Sequence, residues 1–140
     1  MDCDLCLGAG GTLLWQNGLC RVVAVDEPGL PGYLRVVLRR HVREMTDLAA
    51  TERNGLMAVV FAVEAHVRDT LEPDKMNLAS LGNLTPHLHW HVIPRWQDDR
   101  HFPGPVWAAA RHGAPVPPAR AAAAARMAAT LPAALAALGA

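Results

Sequence analysis

The sequence predicts a single α+β domain: an antiparallel sheet of about five strands, a long helix on one face, a histidine-bearing strand exposed on the other, and a C-terminal helix. Three features predict it. Short β-rich runs joined by turn residues occupy positions 12–40. Apolar residues then recur at helical spacing, and two further β-rich runs follow.

The first two runs are Thr12 to Trp15 and Leu19 to Val25, separated by Gln16-Asn17-Gly18, in which Asn-Gly signals a hairpin. After the turn-like Glu27-Pro28-Gly29-Leu30-Pro31-Gly32, Tyr33 to Leu38 reads as a third strand. From Thr46 to about Leu71 the period changes. Leu56, Val59, Val60, Val63, Val67 and Leu71 recur at three- and four-residue steps, with Glu52, Arg53, Glu64 and Arg68 on other faces. This predicts an amphipathic helix ended by Glu72-Pro73. Lys75 to Leu81 and His87 to Pro94 read as two more strands, joined by a short loop from Gly82 to Pro86. Positions 97–117 are irregular. The Ala-rich tail from Pro118 to Ala140 reads as helix, with Pro118 in the first turn and Pro132 interrupting it or starting a second short helix. Residues 1–117 are thus expected to form the domain, and 118–140 a helical extension of it.

A chain of 140 residues can bury one core, and 51% apolar against 19% charged residues excludes disorder as its overall state. Thirteen basic residues balance thirteen acidic ones, so neither a nucleic-acid partner nor a membrane surface is expected. Three cysteines are too few, and odd in number, for a disulfide framework. Met1-Asp2-Cys3-Asp4 lacks the cationic and apolar regions of a leader, and no run approaches the ~18 apolar residues of a membrane span. A cytoplasmic location is the expectation.

The chemistry concentrates in Pro86-His87-Leu88-His89-Trp90-His91-Val92-Ile93-Pro94. On a strand the side chains alternate, so His87, His89 and His91 share one face and Leu88, Trp90 and Val92 the other. A helix would swing His89 away from its neighbours. Three imidazoles in a row would repel if all were protonated, so some must be neutral near pH 7. Neutral imidazole serves as nucleophile, general base or metal ligand.

The segment His87-Leu88-His89-Trp90-His91-Val92-Ile93 resembles the signature of the histidine-triad hydrolases and nucleotidyl transferases. The order of elements before it, including Tyr33 to His41 and the Asn77 strand, is similar as well, over about residues 3 to 107. The resemblance implies a HIT-like fold and a homodimer. It implies attack by His89 on the α-phosphorus of a dinucleoside polyphosphate, phosphoramidate or similar nucleotide, through a covalent nucleotidyl-histidine that water then hydrolyses. It implies that His91 hydrogen-bonds the α-phosphate and that His87 helps hold the constellation. Asn77 and Asn83 match places where the family uses amides toward ribose, phosphate or the phosphate loop. Two departures bear on substrate contacts. The third strand begins Gly32-Tyr33 where many members have Gly-His, and Thr85 sits two residues before His87.

Cys3-Asp4-Leu5-Cys6 is a Cys-x-x-Cys that reads as a metal half-site, a redox pair or coincidence. With no second cysteine pair, zinc would have to recruit histidines. Some relatives in the superfamily hold zinc with such a pair, a histidine after the third strand and the first triad histidine. Carried over, the resemblance implies a structural zinc at Cys3, Cys6, His41 and His87, and no organic cofactor. Two other classes remain open: a metal-dependent hydrolase ligated by His87, His89 and His91, and a non-catalytic nucleotide sensor or scaffold. Phe102 and Trp107 are read as covering the site mouth or a dimer surface, or as plain packing. His66 is read as structural, Cys20 as a core residue and His112 as exposed.

Overall fold

The computed structural model describes residues 3–139. Met1, Asp2 and Ala140 lie outside it, and with them part of the leader reading and the end of the tail. Strands β1 (Thr12–Gln16), β2 (Cys20–Ala24), β3 (Leu34–Leu38), β4 (Lys75–Ala79) and β5 (His89–Arg95) form one sheet in the order β1-β2-β3-β5-β4. Every neighbouring pair is antiparallel. This is the five-stranded α+β architecture expected.

The long helix α2 (Ala50–Leu71) lays its entire anticipated stripe, Leu56 through Leu71, into the core. There it meets Cys20, Val22, Leu34, Val36, Leu38 and Val92 from one face of the sheet. Burial pushes the Cys20 thiol up to about 12, as suits an inert core residue. α2 starts later than the period suggested. Met45–Asp47 forms a separate 3-10 turn, and the Ala49 amide donates to the Glu52 carboxylate at the true start. At the other end Glu72 takes a left-handed conformation (φ 48°), since Pro73 disfavours helical backbone before it.

Helix α3 (Pro118–Ala134) packs across α2 and the end of β1. His66 is structural, donating from Nε2 to Thr130 Oγ1 at 2.9 Å and lying 3.1 Å from the Met127 carbonyl. Pro132 does not interrupt the helix. It falls in the last turn, and the fully buried Leu131 and Leu135 on either side hold that turn against the core. The hairpin forms at Asn17-Gly18 with the Asn17 side chain as its brace. Its Oδ1 accepts the amides of Leu19 and Cys20, and its Nδ2 donates to the Leu138 carbonyl.

The structure adds one element to those expected and corrects two expectations. A helical turn, α1 (Asp4–Leu7), precedes the hairpin; four residues are too few to show a period. Leu5 packs it on Val23 and Val37, and the Arg21 guanidinium ties down the carbonyls of Leu5, Gly8 and Ala9. The histidine-bearing strand is also not an exposed one. β5 lies between β3 and β4, and His87, His89 and His91 are 0%, 8% and 5% exposed. Finally, β4 ends at Ala79 rather than Leu81, and β5 begins at His89 rather than His87. His87 sits in a bend, its amide donating to Thr85, while Leu88 bonds to Val42 and Leu38.

The buried tail residues make α3 part of the folding unit. Leu131→Ala is expected to lower unfolding free energy by about 3 kcal/mol in urea titration, within the range for a fully buried leucine. A change below ~0.5 kcal/mol would show α3 to be dispensable.

Candidate active site

β5 is positioned by its two neighbours. Val37 lies opposite His89, and Arg35 and Ala79 lie opposite His91. Leu88, Trp90 and Val92 turn to the α2 side, so His89 and His91 project from the far face with ring centroids 5.0 Å apart.

Each histidine is oriented by a different partner. His89 Nδ1 lies 2.6 Å from the His87 carbonyl, and only a protonated Nδ1 can donate to it. The lone pair of His89 is therefore on Nε2. Ser80 Oγ donates to the His89 carbonyl at 2.8 Å and pins the backbone beneath the ring. His91 Nδ1 is 2.7 Å from the Tyr33 hydroxyl. Burial raises the Tyr33 phenol and keeps it protonated, so its O–H can donate to Nδ1, the arrangement that puts the His91 proton on Nε2. Burial, then the nearby His89 and Arg35, push His91 down to about 4. His91 is thus a neutral donor, with the Trp107 ring edge-on to it at 5.2 Å.

His89 and His91 open on a cleft of about 420 Å³ whose walls include Arg35, Asn83, Thr85 and Trp107. Asn83 is one of these wall residues. Asn77 is on the same face but further along, opposite Ile93, and is not part of the cleft wall. Its Oδ1 accepts from Arg95, which also pairs with Asp99 through two hydrogen bonds and donates to the Gly104 carbonyl. Burial pulls Asp99 up, but Arg95 and the amides of His101 and Trp96 outweigh it and hold the carboxyl at about 2. Phe102 sits against Arg95, with Cζ 5.7 Å from its ring centroid. Trp107 alone of the two aromatics lines the cleft. A larger cavity of about 540 Å³ lies between α2 and β4, among Glu64, Arg68, Asp74 and Lys75. It holds no histidine, cysteine, serine or threonine, so chemistry rather than volume identifies the site.

Tyr33, Arg35 and Ser80 were not singled out from sequence. The signal for Arg35 was an arginine inside the apolar run Leu34 to Leu38, two residues from Tyr33 and so on its face. Which strand would face that pair depends on β3–β5 pairing, which the sequence does not display.

Behind the cleft, His87 points the other way. Its Nε2 donates to the Leu38 carbonyl at 2.7 Å, which frees Nδ1 as a lone-pair donor. That nitrogen lies 3.4 Å from both Cys3 Sγ and Cys6 Sγ and 3.2 Å from His41 Nδ1. All four ligand atoms fall within 4.8 Å of one another. A tetrahedral zinc, with bonds near 2.3 Å to sulfur and 2.0–2.1 Å to nitrogen, spaces its ligands roughly 3.3–3.8 Å apart. The two-sulfur, two-nitrogen donor set and its spacing fit that ion. Burial lowers the pKa of His87, favouring the neutral, ligating form.

Residues 9–98 match the family described as HIT domain. An AP-4-A phosphorylase from Mycobacterium tuberculosis is 36% identical over 98 residues, 66% of this chain and 50% of that protein. The chain therefore spans about half the length of that curated relative. A histidine triad protein from Bradyrhizobium japonicum superposes with TM-score 0.70 at 28% identity, covering 86% of this chain and 92% of that one. A zinc-bound histidine triad family protein from Mycobacterium smegmatis shares the fold, with TM-score 0.66 at 21% identity over 98% of each chain.

The His91 environment has a pH signature. Its ring resonances should titrate with a midpoint near 4, against the ordinary 6.5, in NMR spectra of the folded protein. Because folding disfavours the protonated ring, this contribution to stability is present above pH 6.5 and lost as pH falls toward 4. A midpoint at the ordinary value would mean that the His91 ring is solvated rather than buried.

Proposed function

The chain belongs to the HIT domain family, and from that premise we propose that it is a nucleotide hydrolase or nucleotidyl transferase acting through His89. The observation that carries this reading is the bond from His89 Nδ1 to the His87 carbonyl, which in the neutral ring puts the lone pair on Nε2 in a histidine-lined cleft. An oriented, unprotonated nitrogen is what attack on phosphorus requires.

In the first step Nε2 forms a bond to the α-phosphorus and the bond from phosphorus to the leaving group breaks, its electron pair departing with that group. In the second, a water oxygen bonds to phosphorus as the N–P bond breaks. The pair returns to Nε2, a water proton passes to solvent, and a nucleoside monophosphate leaves. His91 donates from Nε2 to a non-bridging oxygen, Asn83 and the Arg35 guanidinium add donors from the cleft wall, and Trp107 offers an aromatic surface. His87 acts by position, giving its carbonyl to His89. Asn77 acts through Arg95, bracing the far end of β5. Substrates of this reaction are dinucleoside polyphosphates, nucleotide phosphoramidates or similar nucleotides.

Cys3, Cys6, His41 and His87 would hold a structural zinc that ties α1 to the segment entering β5. A protein of the same fold being zinc-bound supports this. With His87 engaged there, His87, His89 and His91 do not converge on a shared catalytic metal, which argues against the metal-hydrolase reading. β4 is a sheet edge and Phe61 on α2 is 58% exposed, which suits pairing with a second copy of the chain. The balanced charge suits a small nucleotide partner rather than nucleic acid, and no helix among the described residues is long and apolar enough to cross a membrane.

Incubation with α-labelled dinucleoside polyphosphates and phosphoramidates should leave acid-labile label on His89. His89→Asn should abolish that label and lower turnover by at least about a thousandfold. Transfer that persists in the variant contradicts the nucleophile; nucleotide binding without any turnover in the parent would instead identify a sensor. Protein purified without a tag should carry close to one zinc per chain, and Cys3→Ser with Cys6→Ser should lose it. A zinc content near zero in the parent overturns the metal assignment.

A further inference from the structure

Arg35 is a cation without an anion. Among the described residues no carboxylate lies within ion-pair distance of it; the ion pairs present join Arg40 to Glu52, Arg95 to Asp99 and Arg120 to Asp98. One guanidinium nitrogen donates to the Gly10 carbonyl at 3.1 Å, and Nε is buried with no hydrogen-bond partner. An unpaired buried donor on a charged group is costly unless something else satisfies it. Nε itself is closed off, but Arg35 as a whole is only half-buried and the rest of its guanidinium is open to an entering anion. Arg35 lies opposite His91 and lines both the cleft of about 420 Å³ and a second cavity of about 310 Å³, bounded by Asp4, Leu5 and Gly10. The two cavities share Arg35, Thr85 and His89 as walls. A substrate with groups on both sides of the phosphorus at His89 must pass the guanidinium. The acidic side chain there, Asp4, is exposed and makes no contact with it within ion-pair distance.

We propose that Arg35 is the specificity-determining residue of this site, selecting nucleotides whose leaving group is itself a phosphate chain. This rests on the nucleotidyl-transfer reading above. When His89 Nε2 bonds to the α-phosphorus and the bridging P–O bond breaks, the electron pair stays on the bridging oxygen of the departing polyphosphate. That group gains one negative charge, and a planar guanidinium stabilises it more as the bond breaks than before. An amine leaving group instead takes a proton from solvent as its P–N bond breaks and departs neutral, so it presents no developing negative charge for the guanidinium to stabilise.

The test combines binding with turnover in the full chain, for the parent, Arg35→Leu and Arg35→Lys. Calorimetry with inorganic tripolyphosphate and with AMP should show Arg35→Leu weakening tripolyphosphate at least about tenfold more than AMP, the scale of one charge-assisted hydrogen bond. The ratio of kcat/KM for diadenosine tetraphosphate to that for an adenosine phosphoramidate should fall by a similar factor. Arg35→Lys, which keeps the charge but loses the planar fork, should fall between the parent and Arg35→Leu in both preferences. Unchanged tripolyphosphate affinity and an unchanged ratio in Arg35→Leu overturn the proposal, as does an Arg35→Lys ratio as low as that of Arg35→Leu. Arg35-dependent tripolyphosphate binding in a parent that turns over neither substrate supports the anion site and overturns the catalytic reading alone.

Discussion

One backbone carbonyl, that of His87, decides what the rest of the site can do. By accepting the Nδ1 proton of His89 it determines which imidazole nitrogen carries a lone pair and where that lone pair points. The carbonyl is available because His87 sits in a bend just before β5, so its oxygen is not consumed by a ladder bond. The bend is in turn held by the His87 side chain, which donates to Leu38 on one side and meets Cys3, Cys6 and His41 on the other. The same residue thus joins the Cys/His cluster to the nucleophile. A row of three equivalent imidazoles becomes three rings with three jobs: one anchored behind the sheet, one holding a free nitrogen, and one donating beside it.

The surroundings are arranged to keep those roles fixed. Arg21 gathers three carbonyls of the N-terminal segment so that Leu5 covers Val23 and Val37. At the other end of β5, Arg95 and Asp99 form a buried, fully hydrogen-bonded knot. Asp99 accepts three backbone amides beyond β5, from Trp96, His101 and Phe102, and so shapes the segment leading to Trp107. A buried pair of this kind adds little net stability against an apolar alternative but fixes geometry. Burial then does the electrostatic work, holding His91 neutral while Arg35 faces the same cleft.

Much of this was legible in the sequence because it depends on local period. The stripe from Leu56 to Leu71, the alternation of Leu88, Trp90 and Val92 with the histidines, and the Asn17-Gly18 turn each declare themselves within a few residues. What was not legible depends on partners far apart in the chain. Tyr33 reaches His91 and Arg35 reaches the cleft only because β3 pairs with β5, a register between segments more than fifty residues apart. Asn77 was placed on the strand before the triad, but its engagement by Arg95 arises from cross-strand geometry. The α1 turn is set by Leu5 and Arg21, tertiary contacts that no four-residue window reveals.

The account turns on the tautomer of His89, and nitrogen NMR reads it directly. In long-range proton–nitrogen correlation spectra of the neutral ring, His89 should show a protonated Nδ1 and an unprotonated Nε2 with the shift of a free lone pair. A proton on Nε2 with a bare Nδ1 would contradict it, since the lone pair would then face the His87 carbonyl instead of phosphorus, and that carbonyl would have no proton to accept.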